Sequence, residues 1–129
     1  MKIGDEYGGG IVFSVDGTGE HGLIAAKEDM QRHSSSGNEE WRFIWSDAKA
    51  ACHDFVSNGY SDWFLPNKEQ LNQLYLRKAV VGGFADYSTG YWSSSESSVT
   101  NAWLQIFVNG YQSHSNKGFA SRVRAVRAF

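Results

Sequence analysis

The sequence predicts an α+β domain. Strand-like runs stand at both ends of the chain, two helical patterns lie between them, and the second half carries Asn109-Gly110, the strongest short hairpin signal available. With 129 residues, 41% of them hydrophobic and 15% aromatic, residues 1–129 read as a single domain with material for a packed core. A chain of this size buries roughly two-thirds of its unfolded surface, so the disordered and fibrous classes are excluded.

The elements follow in order. Gly8-Gly9-Gly10 leads into the strand-like run 11–15, Asp16-Gly17-Thr18-Gly19 turns it, and residues 22–26 return, which reads as a β-hairpin. Residues 30–40 are polar and rich in Ser, Asn and Gly, a surface loop. Ser46 then caps a helix on which Ala48, Ala51, Cys52, Phe55 and Val56 form one stripe, and Asn58-Gly59 supplies a left-handed stop. Cys52 falls on that stripe as a small core hydrophobe, and a lone cysteine forms no intrachain disulfide.

The connector 59–66 holds Tyr60, Trp63 and Phe64 and plugs the core. Pro66 keeps its predecessor extended, Asn67 caps a second helix, and Gln70 takes the capping-box position. Leu71, Leu74, Tyr75 and the stem of Lys78 make its face. Strands are predicted at 91–96, 101–108, 111–115 and 123–129. Trp63, Leu65, Trp92 and Trp103 are expected in the core.

A two-residue turn at Asn109-Gly110 sets Val108 opposite Tyr111, Ile106 opposite Ser113 and Leu104 opposite Ser115. One face then shows Leu104, Ile106, Val108, Tyr111, Ser113 and Ser115; the other shows Gln105, Phe107, Gln112 and His114. The first face suits half a core or a binding surface, and pattern alone favours core.

Little in the sequence points to catalysis. His21, His33, His53 and His114 have no metal-ligand spacing, Ser93-Ser94-Ser95 lacks a GxSxG elbow, and no GxGxxG or Walker loop occurs. Neither enzyme activity nor a cofactor is expected. A net charge of -2 supplies no global basic field for nucleic acid. There is no apolar run long enough to span a bilayer and no apolar h-region within residues 1–6, so neither membrane insertion nor a signal peptide is expected. The charge is uneven, however. Residues 91–129 carry Lys117, Arg122, Arg124 and Arg127 against the single acid Glu96, which leaves 8 basic against 13 acidic residues in the first 90. A solvated face or internal salt bridges is the plainer reading of these cations; an anion-binding patch is the other.

Several motifs together resemble a known family. They are Ile3-Gly4-Asp5-Glu6-Tyr7-Gly8-Gly9-Gly10-Ile11-Val12-Phe13, Gly19-Glu20-His21-Gly22-Leu23-Ile24-Ala25-Ala26, Trp45-Ser46-Asp47-Ala48 and the stretch 59–71 containing Ser61-Asp62-Trp63-Phe64-Leu65-Pro66-Asn67. Tyr91-Trp92-Ser93-Ser94-Ser95-Glu96, Ala102-Trp103 and Arg122-Val123-Arg124-Ala125-Val126-Arg127 complete the set. The family is named after the C-terminal domain of a collagen-like adhesin. It implies a C-type-lectin-like fold of the formylglycine-generating-enzyme-like subclass, two helices packed on antiparallel β-sheet. The sequence departs from the family at Phe64, where arginine is usual. Formylglycine-generating enzymes depend on a cysteine pair and calcium-dependent lectins on Glu-Pro-Asn or Trp-Asn-Asp signatures; this chain has neither.

Residues 91–129 are also similar to the variable proteins of diversity-generating retroelements, whose C-terminal side chains are rewritten at template adenines and displayed to ligands. Asparagine codons mutated at adenine cannot yield Lys, Glu, Gln, Met or Trp. The resemblance implies display positions at Ser98, Leu104, Ile106, Val108, Tyr111, Ser113, His114, Ser115, Gly118, Phe119, Ala120 and Ser121, none of a forbidden type. Trp103, Phe107, Gly110 and Arg122 between them would be scaffold. The implied function is ligand binding at a cell or virion surface, with a protein or glycan partner. If this holds, Leu104, Ile106, Val108, Tyr111 and Phe119 share one exposed patch above Trp103 and Phe107. The alternative is a fixed adhesin domain that binds sulfated glycans through Lys117, Arg122 and Arg124.

Overall fold

The computed structural model describes residues 1–31, 41–85 and 90–129. Most of the loop expected at 30–40 lies outside them. The architecture is α+β with two antiparallel sheets where a single sheet was expected. One has the order β1 (Glu6–Tyr7), β2 (Gly10–Val15), β3 (Gly22–Ala25) and β7 (Val126–Ala128). The other is β4 (Gly90–Glu96), β5 (Asn101–Ile106) and β6 (Gln112–Asn116). Three helices join the sheets: α1 (Trp45–Asp54), α2 (Lys68–Leu76) and the short α3 (Lys78–Val81).

Local chemistry explains the elements that match expectation. The β2–β3 turn is held by Asp16, whose Oδ1 accepts from the Thr18 N–H, the Thr18 hydroxyl and the Gly19 N–H at 2.7–3.0 Å. The Thr18 bonds hold the Asp16 carboxyl below its usual range. Gly10 must be glycine, because a Cβ there would run into the Ala25 carbonyl on β3. At the start of α2, the Asn67 side chain accepts from the Gln70 N–H and the Gln70 side chain accepts from the Asn67 N–H, a complete capping box.

Other elements differ from the sequence reading. α1 is capped by Ile44 without a side-chain bond, so Ser46 lies inside the helix. It ends at Asp54; Asn58 and Gly59, both at positive φ, form a separate turn in which Ser57 and Tyr60 exchange N–H···O bonds of 3.0 Å. Val56 therefore points to solvent instead of the core. Lys78 begins α3 because the helix breaks at Arg77, whose N–H folds back onto the Leu74 and Tyr75 carbonyls.

Two apolar clusters fill the interior, and alternation along the strands divides residues between them. Val12, Ile24 and Trp92 enter the first, with Trp45, Cys52, Trp63, Leu65 and Val123. Their neighbours Ile11, Phe13, Ala25 and Tyr91 enter the second, with Leu71, Leu74, Phe107 and Val126. β2, β3 and β4 are thus buried on both faces. Trp63, Leu65 and Trp92 are buried as expected, while Trp103 is only half-buried. The indole N–H groups are also satisfied: Trp92 donates to the Phe43 carbonyl (2.8 Å) and Trp45 to that of Ser93 (2.9 Å).

Trp92→Ala should destabilise the domain by about 3–5 kcal/mol in chemical denaturation, because a fully buried indole leaves a cavity and its hydrogen bond to the Phe43 carbonyl is lost. A loss under ~1 kcal/mol would mean that the site collapses freely. Burial pushes the Cys52 thiol up to about 12 from an ordinary 9.0. The folded state thus favours the neutral thiol, a contribution complete below pH 9 and lost as pH climbs from there through 12. At pH 8 a disulfide reagent should modify Cys52 only after denaturant is added; rapid reaction of the folded chain would contradict its burial.

Candidate ligand-display surface

The β5–β6 hairpin carries most of the implied display positions. Its register pairs Ala102 with Ser115, Leu104 with Ser113 and Gln105 with Gln112. The Ile106 N–H donates to the Tyr111 carbonyl (2.8 Å) and the Gly110 N–H to that of Ile106 (2.7 Å), so the loop spans four residues, 107–110, instead of two. This corrects the predicted partners, and Phe107 is the cause. Its ring turns inward, fully buried against Tyr75, Phe84 and Tyr91 at centroid distances of 4.7–5.5 Å, and cannot extend the strand. Gly110 sits at φ 83° beneath Tyr75, in space that a Cβ would contest with the ring.

The shift of two residues preserves parity, so the two faces keep their predicted members. Leu104, Ile106, Tyr111, Ser113 and Ser115 share one face, outer toward β6 and the loop but covered by the first cluster at Ala102. Trp103, Gln105 and Gln112 face α2, and His114 lies on their side, exposed beside Trp103 and Asn101. The inward side chains clamp the hairpin. Gln105 Nε2 donates to Asn72 Oδ1 (2.9 Å) and to the Gly110 carbonyl (3.0 Å), and Gln112 Nε2 donates to the Lys68 carbonyl (3.2 Å). The Lys68 ammonium lies 3.7 Å from the centre of the Trp103 ring, and Lys78 Nζ donates to the Phe107 carbonyl (2.6 Å). Lys68 and Asn72 were not singled out from sequence, and Gln105 and Gln112 only as members of the hairpin's second face. The one signal available was two glutamines meeting on the inward face of a hairpin.

Exposure divides the display positions. Val108, Tyr111 and Phe119 are 50%, 61% and 66% exposed, and Ser98, Gly118 and His114 are also at the surface. Ile106, Ser113, Ser115 and Ala120 are half-buried. Three positions depart from the display expectation. Ser121 is buried, exchanging main-chain bonds of 2.8 and 2.9 Å with Phe43. Leu104 packs against the first core cluster. His114 faces away from the outer surface, with Nδ1 3.1 Å from the Asn101 amide nitrogen. Nor is there one compact patch. Val108 and Tyr111 lie at the loop end, whereas Phe119 and Ser98 lie beyond the far end, five strand residues or ~17 Å away.

The cations of the alternative site are committed internally. Arg124 is wholly buried: Nε and Nη2 donate to Asp29 Oδ1 (3.0 and 2.8 Å), and Nη1 donates to the Ala26 and Gly82 carbonyls. Arg122 Nε donates to Asp29 Oδ2 (2.8 Å), as does the Tyr91 hydroxyl (2.6 Å). Burial and the Asp29 charge raise the Tyr91 phenol well above its ordinary value. Lys117 Nζ donates to Glu96 Oε2 (2.7 Å) and to the Val99 carbonyl, holding the Glu96 carboxyl below its usual range. Arg124 therefore has no surface to offer a glycan, and the three cations form no open patch. Among the described residues, no group of three His, Cys, Asp or Glu side chains could hold a metal ion.

The family model of the Lcl C-terminal domain matches residues 21–127. The chain belongs to the Lcl C-terminal domain family. No curated protein matches it. In this Lcl C-terminal domain, the match takes in all three helices, the β4–β6 sheet and β3 and β7 of the other sheet, while β1 and β2 precede it.

Asp29→Ala in this domain should cost about 3–5 kcal/mol, since it leaves the Arg124 guanidinium buried without its counter-charge. Urea denaturation measures it. A variant as stable as the parent would show that water or another group can replace the carboxylate.

Proposed function

We propose that this domain is a ligand-binding module with a C-type-lectin-like fold of the formylglycine-generating-enzyme-like subclass. It presents the outer face of β5–β6 and the loop 107–110 to a receptor on another cell or virion. Protein is the favoured partner class, because the cations that would serve a sulfated glycan are engaged internally. The domain acts by recognition; no catalytic step is proposed for it.

One observation carries the reading: side chains that hold the hairpin and side chains free to vary lie on opposite faces. Trp103, Gln105 and Gln112 face α2 and fix the backbone. Ile106, Val108, Tyr111 and Ser113 make none of those contacts. An exposed tyrosine and valine beside a half-buried isoleucine form an apolar surface of the kind that rigid aromatic anchors make at recognition sites.

The same division supports diversification by a retroelement. Tryptophan and glutamine cannot arise from asparagine codons mutated at adenine, and those types occupy the clamping positions 103, 105 and 112. Lys117, of another unreachable type, is locked to Glu96. The outward positions hold only reachable types. A reverse-transcriptase gene beside an asparagine-rich near-copy of the region encoding residues 91–129 is the expected genomic signature. Sequenced isolates should vary at 106, 108, 111 and 113 while 103, 105 and 112 stay constant.

Binding is tested by labelled domain on intact cells, before and after protease stripping. Val108→Ser with Tyr111→Ser should leave the melting temperature within a few degrees, since exposed substitutions usually cost under about 0.5 kcal/mol each. It should abolish adhesion. Adhesion of the parent should survive raised salt and vanish on stripping. Adhesion that persists in the double variant, or collapses with salt, overturns the reading.

A further inference from the structure

β6 is the outer strand of its sheet, and among the described residues nothing pairs with its far side. The ladder fixes which main-chain groups face that side. The Ile106 N–H donates to Tyr111 and the Lys117 N–H donates to Thr100 (2.9 Å), so the odd-numbered residues of β6 bond to β5. The N–H and C=O groups of Gln112 and His114, and the N–H of Asn116, therefore point outward. Edges of this kind are normally guarded by lysine, proline or a bulge. This one reads Gln112-Ser113-His114-Ser115-Asn116, with none of these.

That sequence is a chemical near-palindrome centred on His114: amide, serine, imidazole, serine, amide. We propose that β6 pairs antiparallel with β6 of a second copy of this chain, about a two-fold axis through His114. Gln112 then faces the partner's Asn116, Ser113 the partner's Ser115, and His114 the partner's His114. Such self-complementarity is what an isologous interface requires. Hydroxyl pairs, Ser113 with Ser115, also suit directly opposed positions on a sheet. The parity agrees, because the residues opposed in hydrogen-bonding pairs, 112 with 116 and 114 with 114, are the even ones whose N–H groups are open; the Asn116 carbonyl alone already accepts from the Phe119 N–H (3.0 Å). Within the strand, no formal charge meets a like charge across the axis when histidine is neutral. The result is a six-stranded sheet in which both outer faces lie on the same side. The pairing rests on the edge geometry and the residue order of β6, and not on any ligand.

The test is sedimentation of the full chain from micromolar to millimolar concentration. The parent should approach twice the monomer mass. His114→Pro removes an N–H that bonds nothing among the described residues and should give a monomer with an unchanged melting temperature. His114→Lys and His114→Asp should each be monomeric, and an equimolar mixture should restore the dimer through opposite charges across the axis. The mixture keeps the proposal testable if the proline variant fails to fold. A parent that stays monomeric, its edge left to some other strand, overturns the proposal. So does a dimer that survives all three substitutions, or a mixture that remains monomeric.

Discussion

The Asp29 carboxylate holds together the parts of this domain that are far apart in sequence. Its two oxygens receive Arg122, Arg124 and the Tyr91 hydroxyl, at separations of 93, 95 and 62 residues. A buried guanidinium is costly unless every donor is met and its charge balanced. Arg124 meets that demand with Asp29, two carbonyls and the face of Phe84 at 4.0 Å. Residues 122–124 therefore have one favourable place, beside the exit of β3, which feeds β7 into the sheet next to β3. Tyr91 carries the constraint onward. Its hydroxyl fixes β4 to the same carboxylate, and β4 in turn sets the register of β5 and the position of the β5–β6 hairpin.

The uneven charge of the sequence has the same origin. The C-terminal cations are joined to acids of the first half: Arg122 and Arg124 to Asp29, and Arg127 to Asp62 at 2.7 Å, which lowers the Asp62 carboxyl. Lys117 alone uses the acid of its own segment, Glu96. The basic excess after residue 90 and the acidic excess before it are the two halves of one set of internal pairs. Internal salt bridges, the plainer of the two readings of these cations, accounts for them.

What the sequence disclosed depended on how local the determining bond is. The Asn67–Gln70 capping box, the Asp16 turn and the strand run at 11–15 are settled within a few residues, and all were legible. The ends of α1 and the hairpin register were not. Asn58-Gly59 and Asn109-Gly110 both signal a left-handed turn, and both make one. Neither turn is where the motif alone would put it. At 109–110 the burial of Phe107, a contact with Tyr75 and Tyr91, outweighs the preference for a two-residue loop. At 58–59 the helix has already ended at Asp54, so the glycine serves a turn of its own. Trp103 was expected in the core from its bulk. Its half-burial reflects Lys68, whose ammonium caps the ring where sequence spacing shows no partner.

The face assignment survived the register error for a reason that bears on function. A strand has a period of two, so lengthening the loop from two residues to four exchanges partners but never faces. Variation on the outer face is then limited by packing. Val108 and Tyr111 stand clear of the core, where a substitution leaves no cavity. Ile106, Ser113 and Ser115 are half-buried and accept changes of modest size. Leu104 is at the boundary: its Cδ1 lies 2.6 Å from where a Cβ on Gly90 would stand, and its other side meets the first cluster. A smaller residue there opens the core, and a larger one presses on the strand that Asp29 positions through Tyr91. The packing on this face is therefore loosest at the loop end and tightest where the hairpin meets the carboxylate-anchored sheet.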